Sequence, residues 1–464
     1  MPGYFIKTFG CQMNKHDSEV AAGLLEQIGL QAASTEDSAD LIVFLTCCVR
    51  ENADERLHGQ VASLKALKTP ELGTEARKAA PLIAVGGCIG QRDGDKLLEA
   101  LPHVDIVFGT HNIERLPALY DQAVQRRAGT SNYRPWNPDS IVEVIEDSDS
   151  FAADLPITRE HAWHAWLPIT QGCDNFCTYC IVPYVRGREK SRLFEDVVAH
   201  AEQLVADGVL EITLLGQNVN SYGRDLSGKP RFADVLQAVA ATGIKRLGFA
   251  TSHPKDLLDE TIEVMANTPS VLHHLHLPVQ SGSNKVLKAM GRCYTREDYL
   301  DLVKHLRSAI PTIALSTDMI VGFPGETEAD FADSLALAQE VCFDQMFTFL
   351  YSPREGTPAA KMAQDARIAV STDVAQKRFD RLVECVQSNA LSCNEKLIGT
   401  TQEALIEGVS KRDANMLTGR THGAKIVHLP LPVAASAEGF AGKIVPVKIT
   451  AVSNWFLQGE LLSG

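Results

Sequence analysis

The chain has 464 residues, which is too long for one ordinary hydrophobic core and predicts two or three domains. Its 45% hydrophobic and 22% charged residues are typical of a globular, soluble protein. The net charge of −14 argues against a general nucleic-acid binder, because affinity for a duplex depends on neutralising phosphates, so any contact with RNA must come from a local patch.

The N-terminal residues lack the apolar stretch of a signal peptide, and no run reaches the roughly 20 apolar residues of a membrane span. Eleven cysteines without a secretory signal argue against disulfides and favour metal ligands or reactive thiols. We therefore expect a cytoplasmic protein with no membrane partner.

Residues 1–128 alternate apolar runs with amphipathic runs, which predicts a doubly wound parallel sheet with helices on both faces. The predicted strands are 4–8, 41–46, 82–86 and 106–108. A predicted helix covers 17–28, with Asp17 as its N-cap. Residues 129–160 are rich in Pro, Ser and Asp and are interpreted as a linker that holds at most one hairpin.

Cysteines follow three of these strands: Cys11, Cys47 and Cys88. Because ligands of parallel sheets collect at the carboxyl ends of the strands, the three thiols could converge on one cluster. The alternative is that they are small buried hydrophobes. Cys48 is adjacent to Cys47 and competes with it as a ligand by spacing alone.

Residues 161–395 resume the alternation with a longer period. Strands are predicted at 165–170, 211–215, 246–250, 272–277, 313–320 and 345–350, with helices such as 194–206 and 296–308 between them. Six such units predict a partial (β/α)6 barrel, whose functional residues lie in the loops after the strands.

The first of these loops contains Cys173, Cys177 and Cys180 in a C-x3-C-x2-C pattern. Structural zinc sites and most iron–sulfur cubes use four ligands, whereas three thiolates leave one iron of a cube open. Radical S-adenosylmethionine (SAM) enzymes bind SAM at that open iron. The alternatives are a zinc knuckle with a distant fourth ligand and three unrelated thiols.

The later loops of the barrel are polar and rich in glycine, and together they are predicted to surround one mouth large enough for SAM. Each loop alone is also ordinary turn chemistry. The predicted SAM contacts in them are Gln217, Ser252, Gln280, Ser281 and Gly322.

A long helix is predicted over 374–396, followed by strands at 401–406, 416–420, 425–429, 443–451 and 456–461, the pattern of a small five-stranded β-barrel. From residue 396 onward seven basic residues stand against five acidic ones, a local charge of +2 on a chain of −14. This reversal favours an RNA-contacting module, although an ordinary solvated surface has the same charge.

These motifs, in this order, make the chain resemble the methylthiotransferases of the radical SAM superfamily over its full length. The matching stretches include TFGCQMN, TCCVREN, VGGCIGQ, QGCDNFCTYCIVPY, LLGQNVNSYG, HLPVQSGS, VGFPGETE and YSPREGTPA. The resemblance implies an N-terminal methylthiotransferase domain at 1–128, a radical SAM domain at 161–395 and a TRAM domain at 396–464.

GCQMN and LLGQNVNSY resemble the members that add a methylthio group to carbon 2 of isopentenylated adenosine next to the anticodon of tRNA. Related enzymes tend to show GCPKN when they modify ribosomal protein S12, and GCKVN when they modify threonylcarbamoyladenosine in tRNA. Those two substrates are the alternatives. A more distant one is an iron–sulfur protein that binds RNA or carries electrons without catalysis.

The resemblance implies that Cys173, Cys177 and Cys180 bind the 4Fe-4S cluster that cleaves SAM. It also implies that Cys11, Cys47 and Cys88 bind an auxiliary 4Fe-4S cluster, with Cys47 preferred over Cys48 because the cysteine of the family directly follows the threonine that matches Thr46. One SAM methylates the sulfur and a second provides the radical. An electron donor such as flavodoxin or ferredoxin is expected. Tyr179 matches a position near the adenine of SAM, although it could equally pack in the barrel mouth.

The resemblance also implies tRNA, through its anticodon loop, as partner. Arg186, Arg188 and Arg192 form a basic turn beside the cysteine loop and are predicted to contact the RNA backbone, unless they are ordinary surface charges. In the TRAM domain Arg420 and Lys425 are predicted to bind RNA. Relatives often read GRTRTNR there, whereas this chain reads GRTHGAK, with fewer arginines.

Overall fold

The computed structural model describes residues 1–48, 51–68, 80–128, 140–146, 155–432 and 439–462. The chain divides into two compact units. The first unit contains Met1–His161, Thr170–Asn175 and Cys180–Arg192, and the second contains Ala162–Ile169, Phe176–Tyr179 and Leu193–Gly464.

The first unit is built on a six-stranded sheet in the order β2-β1-β3-β4-β5-β6, and every neighbouring pair in it is parallel. Its strands are β1 (Gly3–Thr8), β2 (Gln31–Ala32), β3 (Leu41–Thr46), β4 (Leu82–Gly87), β5 (Ile106–Phe108) and β6 (Ile141–Glu143). The four predicted strands are confirmed, and β2 and β6 are additional. Strand β6 lies inside the predicted linker, of which 129–139 and 147–154 fall outside the described residues.

Within the described ranges, the helices beside this sheet are α1 (Gln12–Gln27), α2 (Glu51–Ser63), α3 (Cys88–Asp93), α4 (Asp95–Ala100) and α5 (Leu116–Ala128). Both faces of the sheet are buried. In β3, Leu41 and Val43 pack in one core, whereas Ile42 and Phe44 pack in the other. Burial on both faces explains why β3 is a continuous apolar run, and it confirms the doubly wound class.

Helix α1 begins five residues before the predicted start. Cys11 is its N-cap, with extended backbone, and Asp17 lies within the helix. The preceding Gly10 has φ +109°, a conformation that glycine adopts readily, so the chain turns directly from β1 into the helix. The predicted N-cap role of Asp17 is therefore wrong.

After β7 (His164–Pro168), a short antiparallel pair, β8 (Thr170–Gln171) and β9 (Lys190–Ser191), encloses the cysteine loop and helix α6 (Val182–Val185). Within the first unit, α6 contributes Val185 to the core that also holds Phe44 and Cys88.

The second unit contains the barrel strands β7, β10 (Glu211–Leu215), β11 (Arg246–Phe249), β12 (His274–His276), β13 (Ala314–Val321) and β14 (Gln345–Leu350). They form two parallel three-stranded sheets, which a parallel bridge between Leu247 and Val271 joins. The partial six-stranded barrel is thus confirmed. Its helices are α7 (Phe194–Ala206), α8 (Arg224–Ser227), α9 (Phe232–Ala241), α10 (Asp259–Asn267), α11 (Asn284–Ala289), α12 (Arg296–Ala309), α13 (Glu328–Val341), α14 (Pro358–Met362) and α15 (Thr372–Glu395).

Short 3-10 helices in the two units lie at Glu36–Ser38, Leu64–Lys68, Ile113–Arg115, Val219–Ser221 and Pro254–Asp256. Among the described residues, no helix has the length and apolar character needed to cross a bilayer.

The second unit ends in a closed barrel of five strands in the order β15-β16-β17-β19-β18. They are β15 (Thr401–Val409), β16 (Met416–Thr421), β17 (Ile426–Pro430), β18 (Ile444–Val452) and β19 (Leu457–Leu461). Alternate residues such as Ala404 and Ile406 point into its core, which explains the short alternating runs of the sequence.

The turn between β16 and β17 joins this barrel to the starts of the parallel strands. Arg246, at the start of β11, is buried and donates to the Thr421 carbonyl at 2.9 Å. Lys425 pairs with Asp344 at 2.6 Å. The ring centroid of His422 lies 4.8 Å from that of His273. The small barrel is therefore anchored at the opposite ends of these strands from the loops predicted to bind SAM.

Candidate functional site

Three cysteines of the first unit follow adjacent strands of its sheet. Cys11 comes after β1, Cys47 after β3 and Cys88 after β4, and these strands are neighbours in the order β1-β3-β4. Cys47 and Cys88 are buried. The three cysteines thus lie at the same edge of the sheet, as predicted, and their convergence on one cluster stays a prediction.

Two glycines allow this close approach. A Cβ atom at Gly10 would lie 2.1 Å from the Cβ of Cys47, and a Cβ at Gly87 would lie 2.8 Å from the Thr46 carbonyl oxygen. Both have positive φ, +109° and +86°. Any other residue would force the strand ends apart, so glycine is required by sterics as well as by backbone conformation.

The thiols at this edge contact one another in pairs. Cys47 donates to Cys11, and Cys48 donates to Cys88. Among the described residues, no group of three or more His, Cys, Asp or Glu side chains is arranged to hold a metal ion.

Arg186 is a buried cation beside Cys88 and Cys11. It is 5% exposed and donates to Asn14 Oδ1 at 3.2 Å and to Asp17 Oδ2 at 2.9 Å, and it also bonds the thiol of Cys88. This position differs from the RNA-facing one predicted from the sequence, because partners far away in the chain surround the guanidinium.

Hydrogen bonds and this cation decide which thiols ionise. The bond from Cys48, helped by Arg186, lowers the pKa of Cys88 to about 6 despite burial. The bond from Cys47, again with Arg186, lowers the pKa of Cys11 to about 7. The pKa of Cys48 is raised well above its ordinary value by donation to Cys88 and by burial. Since thiolates are the metal ligands, the lowered pKa values favour Cys11 and Cys88 for that role and do not choose between Cys47 and Cys48.

The C-x3-C-x2-C loop is shaped by contacts at both ends. In the first unit, Cys173 N–H donates to the Gly187 carbonyl at 3.2 Å, and Asp174 accepts from Arg188 at 2.7 Å. Gly172 has φ +78°, and a Cβ there would lie 2.0 Å from the Arg188 carbonyl oxygen. The strand pair β8–β9 and these contacts position Cys173 and Cys180.

Cys177 and Tyr179 belong to the second unit. Between them, Thr178 donates its N–H to the Met290 carbonyl and accepts from Ala359 N–H, each at 2.9 Å. The hydroxyl of Tyr179 accepts from Arg292 at 2.8 Å. Tyr179 thus packs in the barrel mouth, which is the alternative left open for it, and its contact with SAM stays a prediction.

Several buried polar atoms lie unpaired at the carboxyl ends of β10 and β11 and beside the cysteine segment. They are Asn218 Oδ1, Asn220 Nδ2, Ser252 Oγ and Arg292 Nε. Leaving a polar group buried without a partner costs about 1–3 kcal/mol. A polar ligand such as SAM would satisfy them, so the residues present fit that cofactor. Asn218, Asn220 and Arg292 were not among the SAM contacts predicted from the sequence, since nothing local in the sequence marks a buried unpaired atom.

Two residues in the loops after the barrel strands have a strained backbone conformation. Thr251 after β11 has φ 67° and Gln280 after β12 has φ 74°, a conformation that costs a non-glycine residue about 1–3 kcal/mol. Such strain is typical of ligand sites. Gln217 and Ser252, two other predicted contacts, lie in the loops after β10 and β11.

Two of the predicted SAM contacts, Ser281 and Gly322, make close contacts within the protein. Ser281 is fully buried and its hydroxyl lies 3.3 Å from that of Ser334. At Gly322 a Cβ would lie 2.8 Å from the Cβ of Ala375, and its N–H donates to Glu326 at 2.8 Å. These contacts account for both residues through loop packing, and their part in binding SAM stays a prediction.

The five basic residues predicted to bind RNA differ in exposure. The side chains of Arg188 and Arg420 are 68% and 43% exposed, although each has an acidic partner. Arg186 and Arg192 are buried. Lys425 is 15% exposed and bonds Asp344 and Asn394. Of these five predicted residues, Arg188 and Arg420 are the two that offer a solvent-facing charge to RNA.

Three family models match the chain: "Radical SAM superfamily" over 167–338, "Uncharacterized protein family UPF0004" over 3–109 and "TRAM domain" over 395–462. The chain also resembles a solved structure of the radical S-adenosylmethionine methyltransferase TsrM from Kitasatospora setae. That match has a TM-score of 0.51 and 14% identity, over 78% of this chain and 77% of that chain, and concerns the fold alone.

Two curated relatives carry the name tRNA-2-methylthio-N(6)-dimethylallyladenosine synthase. The protein from Carboxydothermus hydrogenoformans is 46% identical over 99% of both chains. The protein from a Thermoanaerobacter species is 46% identical over 99% of this chain and 92% of its own. Identity at this level over the full length, with the three domain matches in order, shows the family, and radical SAM membership implies SAM and a 4Fe-4S cluster. The chain belongs to the tRNA-2-methylthio-N(6)-dimethylallyladenosine synthase family of radical SAM methylthiotransferases.

Proposed function

We propose that this chain adds a methylthio group to carbon 2 of isopentenylated (dimethylallyl) adenosine next to the anticodon of tRNA. The observation that carries the proposal is the 46% identity to synthases of that name over 99% of the chain. Both cysteine triplets of the sequence support it. A tRNA substrate agrees with the cytoplasmic location expected from the sequence.

In this proposal Cys173, Cys177 and Cys180 hold the 4Fe-4S cluster, and the other triplet, Cys11, Cys47 and Cys88, holds a second one. When bound, these groups supply the electron that cleaves SAM to a 5′-deoxyadenosyl radical and the sulfur that is transferred. The placement of Cys11, Cys47 and Cys88 directly after three neighbouring strands supports the second cluster. A small redox protein such as flavodoxin or ferredoxin is the proposed electron source.

The chain's own side chains bind and orient the reactants. The C–H at carbon 2 of adenine is not acidic, so a general base cannot remove its hydrogen and a radical is required for that step. Asn218, Ser252 and Arg292 carry the unpaired polar atoms that would hold SAM. Arg188 and Arg420 would contact the anticodon backbone, which positions the RNA. The target base must leave its stack to reach the site.

Nucleoside mass spectrometry tests the proposal. The chain is expressed in a bacterium that lacks its own synthase, and total tRNA is digested and weighed for modified adenosines. We expect the 2-methylthio form of isopentenyladenosine. Its absence, with the precursor abundant and iron loaded, would contradict the substrate, and the same cells are then assayed for modified threonylcarbamoyladenosine and ribosomal protein S12.

A further inference from the structure

Arg186 is held in a fixed place beside the cysteines of the first unit. Its guanidinium donates to Asn14 Oδ1 and Asp17 Oδ2 of helix α1 and to the thiol of Cys88 at the start of α3. Asn14 is itself fixed, since its amide donates to the Phe9 carbonyl at 2.7 Å. A charged side chain is rarely buried to this extent without a specific partner.

The backbone that carries Arg186 is anchored as well. It caps helix α6, donating its N–H to the Val182 carbonyl at 2.8 Å. Thr110, just after β5, donates its hydroxyl to the Val185 carbonyl at 2.7 Å. Val185 is buried in the same core as Cys88. The guanidinium is thus positioned by the sheet edge itself and cannot swing into solvent without breaking these contacts.

Among the described residues, the charges that act on the thiols include Arg186 and Asp17, which act on Cys88, and Arg92, which acts on Cys48. Arg186 is the buried cation, and Asp17 is the carboxylate that faces it, with His16 3.8 Å from Asp17 on the same helix. Both Arg186 and Asp17 act electrostatically on Cys88. A cluster held by three thiolates is anionic and gains a further negative charge on reduction. Nearby charge and hydrogen bonds to sulfur therefore set its reduction potential.

We propose that Arg186 is a positioning residue for the second cluster: its buried cation bonds the sulfur of Cys88 and raises the reduction potential of a cluster held there, while Asp17 lowers it. This inference rests on the proposed second cluster. It assigns to Arg186 a role different from RNA binding, and it predicts shifts of opposite sign for the two partners of one ion pair.

The test uses the full chain with Cys173, Cys177 and Cys180 changed to Ala, so that only the second cluster remains. The protein is reconstituted with iron and sulfide and titrated with dithionite, which supplies one electron per cluster, while electron paramagnetic resonance follows the reduced form. Arg186→Gln should shift the midpoint potential to more negative values and Asp17→Asn to more positive ones. Arg186→Lys, which keeps the charge, should stay close to the parent.

Arg115→Gln is the matched control, because Arg115 forms an arginine–carboxylate pair with Glu143 at 3.1 Å in the same unit, away from the cysteines. It should not move the potential. If the Arg186→Gln variant binds no cluster, the Asp17→Asn variant provides the test. A midpoint potential more positive than that of the parent supports the proposal, and an unchanged midpoint potential overturns it. A loaded parent with no shift in any variant overturns the role of Arg186 alone, whereas a parent that binds no iron overturns the second cluster and this inference together.

Discussion

Cys47 and Cys48 are neighbours in the chain but have different partners. Cys47 donates to Cys11, and Cys48 donates to Cys88, which raises the pKa of Cys48 well above its ordinary value. Spacing alone could not separate the two as ligands, because both follow β3 directly. The partners of each thiol come from β1 and β4, 36 or more residues away, and only the fold brings them together.

Removing single cysteines should separate the two proposed clusters. Cys177→Ala should abolish the formation of 5′-deoxyadenosine and of product, because SAM cleavage needs that triplet. Cys88→Ala should retain SAM cleavage and lose methylthio transfer, while Cys48→Ala should keep both. Chromatography of 5′-deoxyadenosine and mass spectrometry of the tRNA nucleosides check this. Product from the Cys88 variant would rule out the assignment of the second cluster.

At the scale of elements, the turn between β16 and β17 serves to attach the small barrel. Its carbonyl at Thr421 accepts from Arg246, and its Lys425 pairs with Asp344. The sequence predicted a basic RNA-binding edge here, because Arg420 and Lys425 match the corresponding motif of relatives. The strand starts that cover this turn are more than 70 residues away in the chain and leave no local signal.

Breaking the ion pair of this turn should cost stability more than RNA affinity. Lys425→Met leaves Asp344 largely buried without its cation, and we expect a loss of about 2 kcal/mol in the free energy of unfolding. Adding Asp344→Asn to Lys425→Met should recover part of the lost free energy of unfolding, because the unpaired carboxylate is then removed. Urea unfolding followed by fluorescence measures both, and tRNA binding is measured beside it. A Lys425→Met variant that unfolds like the parent but binds tRNA far more weakly would contradict this prediction and support direct RNA binding by Lys425.

The same turn should make stability depend on pH. Burial, with His273 and Arg246, lowers the pKa of His422 to about 4, whereas an unfolded histidine titrates near 6.5. As the pH falls from about 6.5 to about 4, the unfolded chain binds a proton that the folded chain does not, so stability falls, by about 1–2 kcal/mol once the partial exposure of the ring is allowed for.

His422→Asn should flatten the dependence of the urea midpoint on pH between 7 and 5. The matched control is His305→Asn, a half-exposed histidine on helix α12, which should keep the slope of the parent. An identical slope in the His422 variant would show that other groups carry the effect.

At the scale of the whole molecule, an acidic chain has to bind an acidic substrate. With a net charge of −14, it has to attract tRNA through local patches of exposed cations, and among the predicted RNA contacts Arg188 and Arg420 face solvent. Each phosphate neutralised on a single strand contributes about −0.7 to the slope of log affinity against log salt. Two such contacts, from Arg188 and Arg420, therefore predict a shallow dependence on salt.

Arg188→Gln should weaken tRNA binding and reduce that slope by roughly one phosphate contact. Arg367→Gln is a matched control, since Arg367 also forms an exposed pair, with Asp365 at 2.6 Å. Binding measured by fluorescence anisotropy over a salt series checks both. Equal slopes for the Arg188 variant and the parent would contradict its RNA contact.

Most of the architecture could be predicted from the sequence, because apolar periodicity depends on local burial. The strands Glu211–Leu215 and Gln345–Leu350 and helix Phe194–Ala206 have their predicted bounds. The two-residue strand Gln31–Ala32 was missed, since it is too short and exposed to show a pattern. Positive φ at Thr251 and burial of Arg186 could not be predicted either, as both depend on residues distant in the chain.

The attachment of the small barrel has a consequence for how this family diverges. A turn that is packed against other strands is selected for complementary shape and charge, so GRTHGAK should vary together with Arg246, His273 and Ala314, its neighbours in the fold. Paired substitutions across these positions should recur among homologous sequences. Chimeras that exchange only the barrel between distant members should fold poorly unless the matching strand starts are exchanged with it.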